Sequence, residues 1–247
     1  MWDFTKQYEL TVNINGRTVD EYPHTDNNIY IEGRPGSEYT IEIKNNSHEE
    51  ICAIPSVDGL SIFDGKEAGL NSKGYIIDRF GKIVIPGWTL NNNQVAKFEF
   101  GDTKSSYTNQ MGNGTSNTGV IGVMIFRKKP EPVLMASSMR GMLCGSGGSG
   151  PATMDWHSHT DDASSDAAAA QSLGTGFGGT QAFNVREVSF EKRDPQNPDA
   201  LLALFYDSVR GLERRGIRVG VKHNPSPFPT YVSQTTGCTP PPGWVKK

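Results

Sequence analysis

Regular alternation of apolar and polar residues between residues 8 and 127 constrains the fold more than any other feature of the sequence. In YELTVNI (8–14) and EYTIEIKN (38–45), every second residue is apolar and its neighbours are polar. Side chains along a β-strand point alternately to opposite faces, so this period of two predicts strands that bury one face only. Such strands are typical of antiparallel sheets.

Seven more segments of this region have the length and composition of short strands, and turn residues such as Asn15-Gly16 and Asp58-Gly59 separate them. The region contains no clear helical period. About nine or ten strands at this spacing predict a mainly β fold, an antiparallel jelly-roll-like β-sandwich over residues 1–130. The seven segments are IYIE (29–32), EICAIPSV (50–57), LSIFDG (60–65), GYIID (74–78), KIVIPG (82–87), VAKFEFG (95–101) and GVIGVMIFR (119–127).

The composition changes after Pro130, and residues 131–182 are predicted to form an extended linker rich in Gly, Ser and Ala. This linker has too little apolar surface to offset the entropy lost when the chain becomes ordered. We therefore expect contacts with neighbouring molecules to order the linker. Within it, LGTGFGG (173–179) neither follows a strand nor opens a helix, as a phosphate-binding loop does. We expect a flexible turn there.

A small β/α segment is predicted over residues 183–221. FNVREVSFEKRD (183–194) alternates like a strand. ALLALFY (200–206) fits a buried strand followed by a short helix that Asp207 caps, although its leucines also fall at helical spacing. The last predicted segment, residues 222–247, is a Pro-rich extended tail.

Charge and cysteine content exclude several classes of protein. The net charge is −3, and Lys and Arg are scattered, which argues against sequence-specific nucleic-acid binding. Three distant cysteines, Cys52, Cys144 and Cys238, do not form a disulfide framework, and Cys52 is expected to be a small buried apolar residue. No apolar run approaches the roughly 20 residues of a membrane span, and the polar first residues argue against a signal peptide. We therefore expect synthesis in a cytoplasm and no membrane partner.

DWHSHTDD (155–162) is a candidate metal site. In an extended chain Asp155, His157, His159 and Asp161 point to one side, and imidazoles with carboxylates are ligands for zinc or another first-row metal. The alternative is a polar loop with two surface histidines.

Two aromatic residues in polar loops are candidates for stacking on a sugar. Trp88 and Tyr107 lie close in sequence to the amide residues Asn92 and Gln110, which can hydrogen-bond to hydroxyl groups. The alternative is that Trp88 packs at the edge of the sandwich.

The segments around SVDGL (56–60), GKIVIPGW (81–88), LGTGFGG (173–179) and FYDS (205–208) together resemble a family of uncharacterised bacterial and phage-associated proteins. In that family a jelly-roll-like β domain precedes a glycine-rich link and a short YDS-type segment. The resemblance supports the β-sandwich and brings no catalytic residue with it. Neither enzymatic activity nor a cofactor is expected on this basis.

These observations favour a structural component of a virus particle, such as a phage capsid decoration or cement protein located in the virion. Its expected partners are further copies of itself, for example in a trimer, and the major capsid protein or other virion proteins. One alternative is a carbohydrate-binding β-sandwich that uses Trp88 and Tyr107. A second is a metal-dependent enzyme built around His157 and His159.

Overall fold

The computed structural model describes residues 1–130 and 171–220, which contain fourteen strands and two short helices. The strands are β1 (Tyr8–Ile14), β2 (Arg17–Thr18), β3 (Glu21–Pro23), β4 (Ile29–Glu32), β5 (Glu38–Asn45), β6 (Ile51–Val57), β7 (Leu60–Ser61), β8 (Tyr75–Ile77), β9 (Lys82–Ile85), β10 (Gly87–Asn91), β11 (Gln94–Asp102), β12 (Val120–Arg127), β13 (Leu173–Ala182) and β14 (Ala200–Asp207). The helices are α1 (Tyr107–Gln110) and α2 (Val209–Arg214), and a 3-10 turn (Thr103–Ser105) precedes α1.

The strands form two seven-stranded sheets. In the first sheet the order is β10-β11-β5-β1-β2, with β13 paired to β11 and β9 paired to β5. In the second sheet the order is β3-β4-β14-β12-β6-β7, with β8 paired to β6. All these pairs are antiparallel except β4 and β14, which run parallel, so the second sheet is mixed.

One apolar core fills the space between the sheets. Leu10, Ile41 and Phe98 of the first sheet and Val123 and Leu204 of the second sheet belong to the same cluster, and all are at most 1% exposed. The predicted mainly β sandwich is therefore confirmed. Its jelly-roll-like strand order stays a prediction.

Strand β6 of the second sheet differs from the expectation that each strand buries one face only. In β6, Ile51 and Ala53 enter the main core, whereas Cys52 and Ile54 are buried on the other face. The sequence ICAIPSV has an apolar residue on both faces because other parts of the chain cover the outer face. Cys52 is buried, as its position in a strand predicts.

Two hairpin turns follow the predicted chemistry. Asn15 and Gly16 join β1 to β2 with φ angles of 51° and 73°, as a type I′ turn requires. Asp58 and Gly59 join β6 to β7 with φ angles of 52° and 78°. The second turn directs a carboxylate into the protein.

The sandwich includes two strands that the sequence had assigned elsewhere. β13 (Leu173–Ala182) pairs with β11 along most of its length, and β14 (Ala200–Asp207) lies between β4 and β12. The predictions of a linker over 131–182 and of a separate segment over 183–221 are therefore wrong at these strands, and LGTGFGG is not a flexible turn. Cross-strand pairing with β11 compensates for the low strand propensity of glycine.

The prediction of a strand over residues 183–194 is also wrong, because no strand lies between β13 and β14. Its backbone contacts are hydrogen bonds from Phe183 N and Val185 N to the turn between β10 and β11, and an isolated bridge between Lys128 and Lys192. Its alternation arises because Phe183 packs on the main core and Phe190 packs on the outer cluster with Cys52.

The predicted strand at ALLALFY and the helix after it are both present. The cap differs from the prediction: Ser208, rather than Asp207, accepts the hydrogen bond from Gly211 N at 3.1 Å. The helix ends before Gly216, whose φ of 79° is left-handed. Residues 222–247 lie outside the described residues.

Candidate functional site

The predicted sugar-stacking residues contribute to an aromatic cluster at one end of the core. Trp88 is only 2% exposed, and its Nε1 donates a hydrogen bond to Gly176 O at 3.1 Å. The Phe177 ring stacks on Trp88 with ring centroids 5.7 Å apart. It packs edge to face with Tyr107, with ring centroids 4.4 Å apart. Trp88 therefore packs at the edge of the sandwich, and the ring that reaches solvent is Phe177, which is 43% exposed.

The two predicted amide residues lie in different places. The Gln110 side chain donates to Ser105 O at 2.9 Å beside α1. Asn92 lies in the turn between β10 and β11, where it lines an open depression of about 960 Å³. The depression is bordered by Asn91, Asn92, Asn93, Gln94, Ala182 and Asn184. The structure thus separates an aromatic surface from an amide surface that the sequence had placed together.

The sequence analysis missed the role of a fully buried polar group, the carboxylate of Asp58. Its Oδ1 accepts hydrogen bonds from Gly119 N at 2.8 Å and Tyr206 OH at 2.6 Å. Its Oδ2 accepts one from Thr175 N at 2.7 Å. The residue is completely buried.

A chain of hydroxyl groups continues from this carboxylate across the sandwich. Thr175 Oγ1 is 2.7 Å from Tyr206 OH and 2.8 Å from Tyr39 OH. An ionised carboxylate only accepts hydrogen bonds, so Tyr206 donates to it, Thr175 donates to Tyr206, and Tyr39 donates to Thr175. Asp58, Thr175 and Tyr206 belong to SVDGL, LGTGFGG and FYDS, so three segments that are far apart in the sequence meet here.

Burial determines the proton affinities of this network. Desolvation raises the pKa of Asp58 to about 6, although Tyr206 and the backbone donors stabilise the charged form. Burial and the nearby Asp58 charge raise the pKa of Tyr206 and Tyr39 well above the usual value. These rings are at most 2% exposed. The network therefore joins the two sheets and presents no surface to a substrate.

A second buried carboxylate anchors α2. Asp207 is 1% exposed, and its Oδ1 accepts hydrogen bonds from Ser208 N at 2.7 Å and from both the backbone and the hydroxyl of Ser172. A Cβ at Gly211 would lie 2.2 Å from its carboxyl carbon. This close approach holds the first turn of α2 against the end of β14. In YDS, therefore, the tyrosine and the aspartate serve two different buried networks.

The metal prediction concerns residues that the structure does not describe. Asp155, His157, His159 and Asp161 lie outside the described residues, and the site stays a prediction. Within residues 1–130 and 171–220, no three His, Cys, Asp or Glu side chains are grouped closely enough to hold a metal ion.

No family model, curated protein or solved structure matches the chain. None of the helices in the described part of the chain has the length and apolar character needed to span a bilayer.

Proposed function

We propose that the protein is a structural component of a virus particle, a capsid decoration or cement protein that acts through contacts between subunits. The observation that carries the proposal is an unpaired edge on the first sheet. Among the described residues, β13 pairs with β11 only, and residues 179–182 at its end are exposed. Such an edge accepts a further strand from another molecule.

The hydrogen-bond pattern shows which backbone groups this edge offers. Phe183 N donates to Asn93 O at 2.9 Å, so the N–H group of Phe183 faces the strand pair of β10 and β11. Hydrogen-bonded and non-hydrogen-bonded pairs alternate along an antiparallel ladder. Thr180 and Ala182, paired with Ala96 and Gln94, are therefore in non-hydrogen-bonded positions. Their N–H and C=O groups point away from β11 and have no backbone partner within residues 1–130 and 171–220.

Burial of the ionisable groups with the most perturbed pKa values supports an assembly role over a catalytic one. Asp58, Tyr206 and Tyr39 hydrogen-bond to each other directly or through Thr175 inside the core. They contribute to a rigid sandwich, which is what a protein that clamps its neighbours requires. Expected partners are further copies of this chain, for example in a trimer, and the major capsid protein.

Thr180→Pro tests this role directly, because proline removes an outward-facing donor and leaves the pairing with β11 intact. We expect wild-type protein to form an oligomer by native mass spectrometry and to be present in purified particles. Thr180→Pro should keep its melting temperature and lose the oligomer, while Thr180→Val, which retains the N–H, should assemble normally. A wild-type chain that is monomeric at every concentration and absent from particles would refute the proposal.

A carbohydrate-binding sandwich is the second candidate, favoured by the exposed ring of Phe177. Phe177 rests on the buried Trp88, so its solvent-facing side is held in a fixed orientation for stacking on a sugar ring. Phe177→Ala tests it better than Trp88→Ala, because removal of a buried ring also destabilises the fold. Calorimetric sugar binding that survives Leu90→Ala and disappears with Phe177→Ala would support this candidate. Absence of binding to any glycan on an array would exclude it.

A further inference from the structure

The free edge of β13 differs from other sheet edges of the sandwich in length and charge. β13 has ten residues, and none of them is Asp, Glu, Lys, Arg or Pro. β2 and β3, which end the two sheets elsewhere, have two and three residues and include Arg17 and Pro23. Short length, charge and proline are common means by which proteins prevent edge-to-edge pairing. β13 has none of these protections.

The second half of β13 is the part that is open to another strand. The first half is covered: a Cβ at Gly174 would lie 2.5 Å from Ser106 Cβ, and Thr175 N donates to Asp58. By contrast, residue 177 and residues 179–182 are exposed. A partner strand therefore has room beside residues 177–182.

The spacing of the outward-facing backbone groups makes this open part complementary to itself. Thr180 and Ala182 both point their N–H and C=O groups away from β11, and they are two residues apart. In an antiparallel pair of two copies, Thr180 faces the partner's Ala182, and Ala182 faces the partner's Thr180. Each of these pairs then exchanges hydrogen bonds in both directions, and Gln181 lies opposite the partner's Gln181. A twofold axis between the two glutamines generates the whole contact.

Charge favours a second copy of the chain as the partner. In a twofold contact of this kind each residue meets the same residue or a near neighbour from the same segment, so any charge would face a like charge. Residues 171–185 contain no Asp, Glu, Lys or Arg, so self-pairing has no such cost. A partner of different sequence is commonly selected by opposite charge, which this edge does not offer.

We infer that two copies of the chain pair antiparallel through β13, with Gln181 opposite the partner's Gln181. The two first sheets then form one continuous sheet across the twofold axis. The inference rests on the proposed function, because it names the partner that the edge of β13 accepts. The contact joins two copies, so a larger assembly needs a further surface.

A symmetric disulfide in the full-length protein tests the pairing and its register. Facing residues of a non-hydrogen-bonded pair have Cα atoms about 4.5 Å apart, within disulfide range, so Gln181→Cys should form a linked dimer under mild oxidation. Thr180→Cys is the matched control, because the two copies of residue 180 would be about 8 Å apart, beyond the limit of about 7 Å. We expect at least about ten times more linked dimer from Gln181→Cys. An equal mixture of Thr180→Cys and Ala182→Cys should restore the link, because these positions face each other.

Peptide mapping identifies the linked position. Chymotrypsin cleaves after Phe177 and Phe183, so position 181 is separated from the native Cys144. Preferential linkage of Thr180→Cys, equal linkage of the two variants, or no linkage of either would overturn the inference.

Failure of this pairing is distinguishable from failure of the proposed function. Wild-type protein that forms oligomers and is present in particles, without preferential linkage at position 181, would overturn the pairing and leave the role in a virus particle standing. Linkage through position 181 in a protein that is absent from particles would support the pairing and contradict the role.

Exchange of charge at the central position distinguishes a second copy from any other partner. Gln181→Arg and Gln181→Glu each place like charges opposite each other, so each variant alone should dimerise less than the wild type. In an equal mixture the two variants should form heterodimers above the roughly one-half share of random pairing, measured by native mass spectrometry. Dimers that are unaffected by either substitution, or a random share of heterodimers, would overturn the inference.

Discussion

Replacement of Asp58 by alanine tests whether the buried network holds the two sheets together. The substitution leaves three donors, Gly119 N, Thr175 N and Tyr206 OH, without their acceptor inside the core. Each buried unsatisfied group costs about 1–3 kcal/mol, or about 6 kcal/mol for three. Alanine at the left-handed φ of 52° adds about 1 kcal/mol.

Removal of a buried charge offsets part of this loss. The pKa of Asp58 is raised from 3.8 to about 6, and each pKa unit corresponds to about 1.4 kcal/mol, so the ionised carboxylate costs about 3 kcal/mol at pH 7. The expected net destabilisation by Asp58→Ala at pH 7 is about 4 kcal/mol. This loss is a large fraction of the stability of an ordinary domain.

The pH dependence has a definite sign. Folded protein binds a proton at Asp58 more tightly than unfolded protein does, so this residue's contribution to stability falls as pH rises from about 4 to about 6. At pH 4.5 most Asp58 side chains in the folded protein are protonated, so the free energy of unfolding of the wild type recovers about 2 kcal/mol of the 3 kcal/mol that the ionised carboxylate costs at pH 7. The difference between wild type and Asp58→Ala should therefore be about 2 kcal/mol larger at pH 4.5 than at pH 7.

Urea denaturation of both proteins at the two pH values measures these differences. Asp64→Ala is the matched control, because Asp64 also lies in a turn but is exposed, and its carboxylate accepts a hydrogen bond from Lys66 N at 3.3 Å. It should change the free energy of unfolding by less than about 0.5 kcal/mol at either pH. A loss below about 1 kcal/mol for Asp58→Ala, or the same loss at both pH values, would show that the network does not stabilise the fold in this way.

Three further substitutions or reactions test the packing. Gly87→Ala should lower the free energy of unfolding by more than about 3 kcal/mol, because the new Cβ would lie 1.9 Å from a backbone oxygen of β11. The control Gly101→Ala should be tolerated, and denaturant unfolding of both variants measures the difference. Gly211→Ala should selectively loosen α2, seen as faster hydrogen exchange in residues 209–214, since its Cβ would overlap the Asp207 carboxyl group. Burial raises the pKa of the Cys52 thiol, so alkylation at pH 8 should be at least about tenfold slower in folded than in urea-unfolded protein; equal rates would contradict its burial.

Alternation and turn chemistry were sufficient to predict most of the first 130 residues. β1 and β5 have the bounds read from YELTVNI and EYTIEIKN, because each has one face in the core and one in solvent. β13 was not predictable in the same way. Glycine at every second position, 174, 176 and 178, gives no alternation of apolar and polar side chains, and the strand's position depends on pairing with β11, which lies more than seventy residues earlier in the sequence.

The candidate site was harder to predict than the fold because its contacts are long-range. Asp58 had been assigned to an ordinary turn, which is correct for its backbone and says nothing about its carboxylate. Its partners Thr175 and Tyr206 are 117 and 148 residues away. A hydroxyl or carboxyl group within an otherwise apolar strand, as in ALLALFYD, was the available signal, because buried polar groups require partners.

β14 lies between β4 and β12 in the second sheet, although it belongs to the second described part of the chain. The second sheet is incomplete without residues 200–207, which come after β12 in the sequence. Forty residues, 131–170, separate the two described parts of the chain. For flexible loops in general, doubling the length costs only about 0.6 kcal/mol, so the number of residues in a connection has little effect on the stability of a domain. Under the proposed role in a virus particle, neighbouring subunits would contact this segment rich in Gly, Ser and Ala as well as the edge of β13.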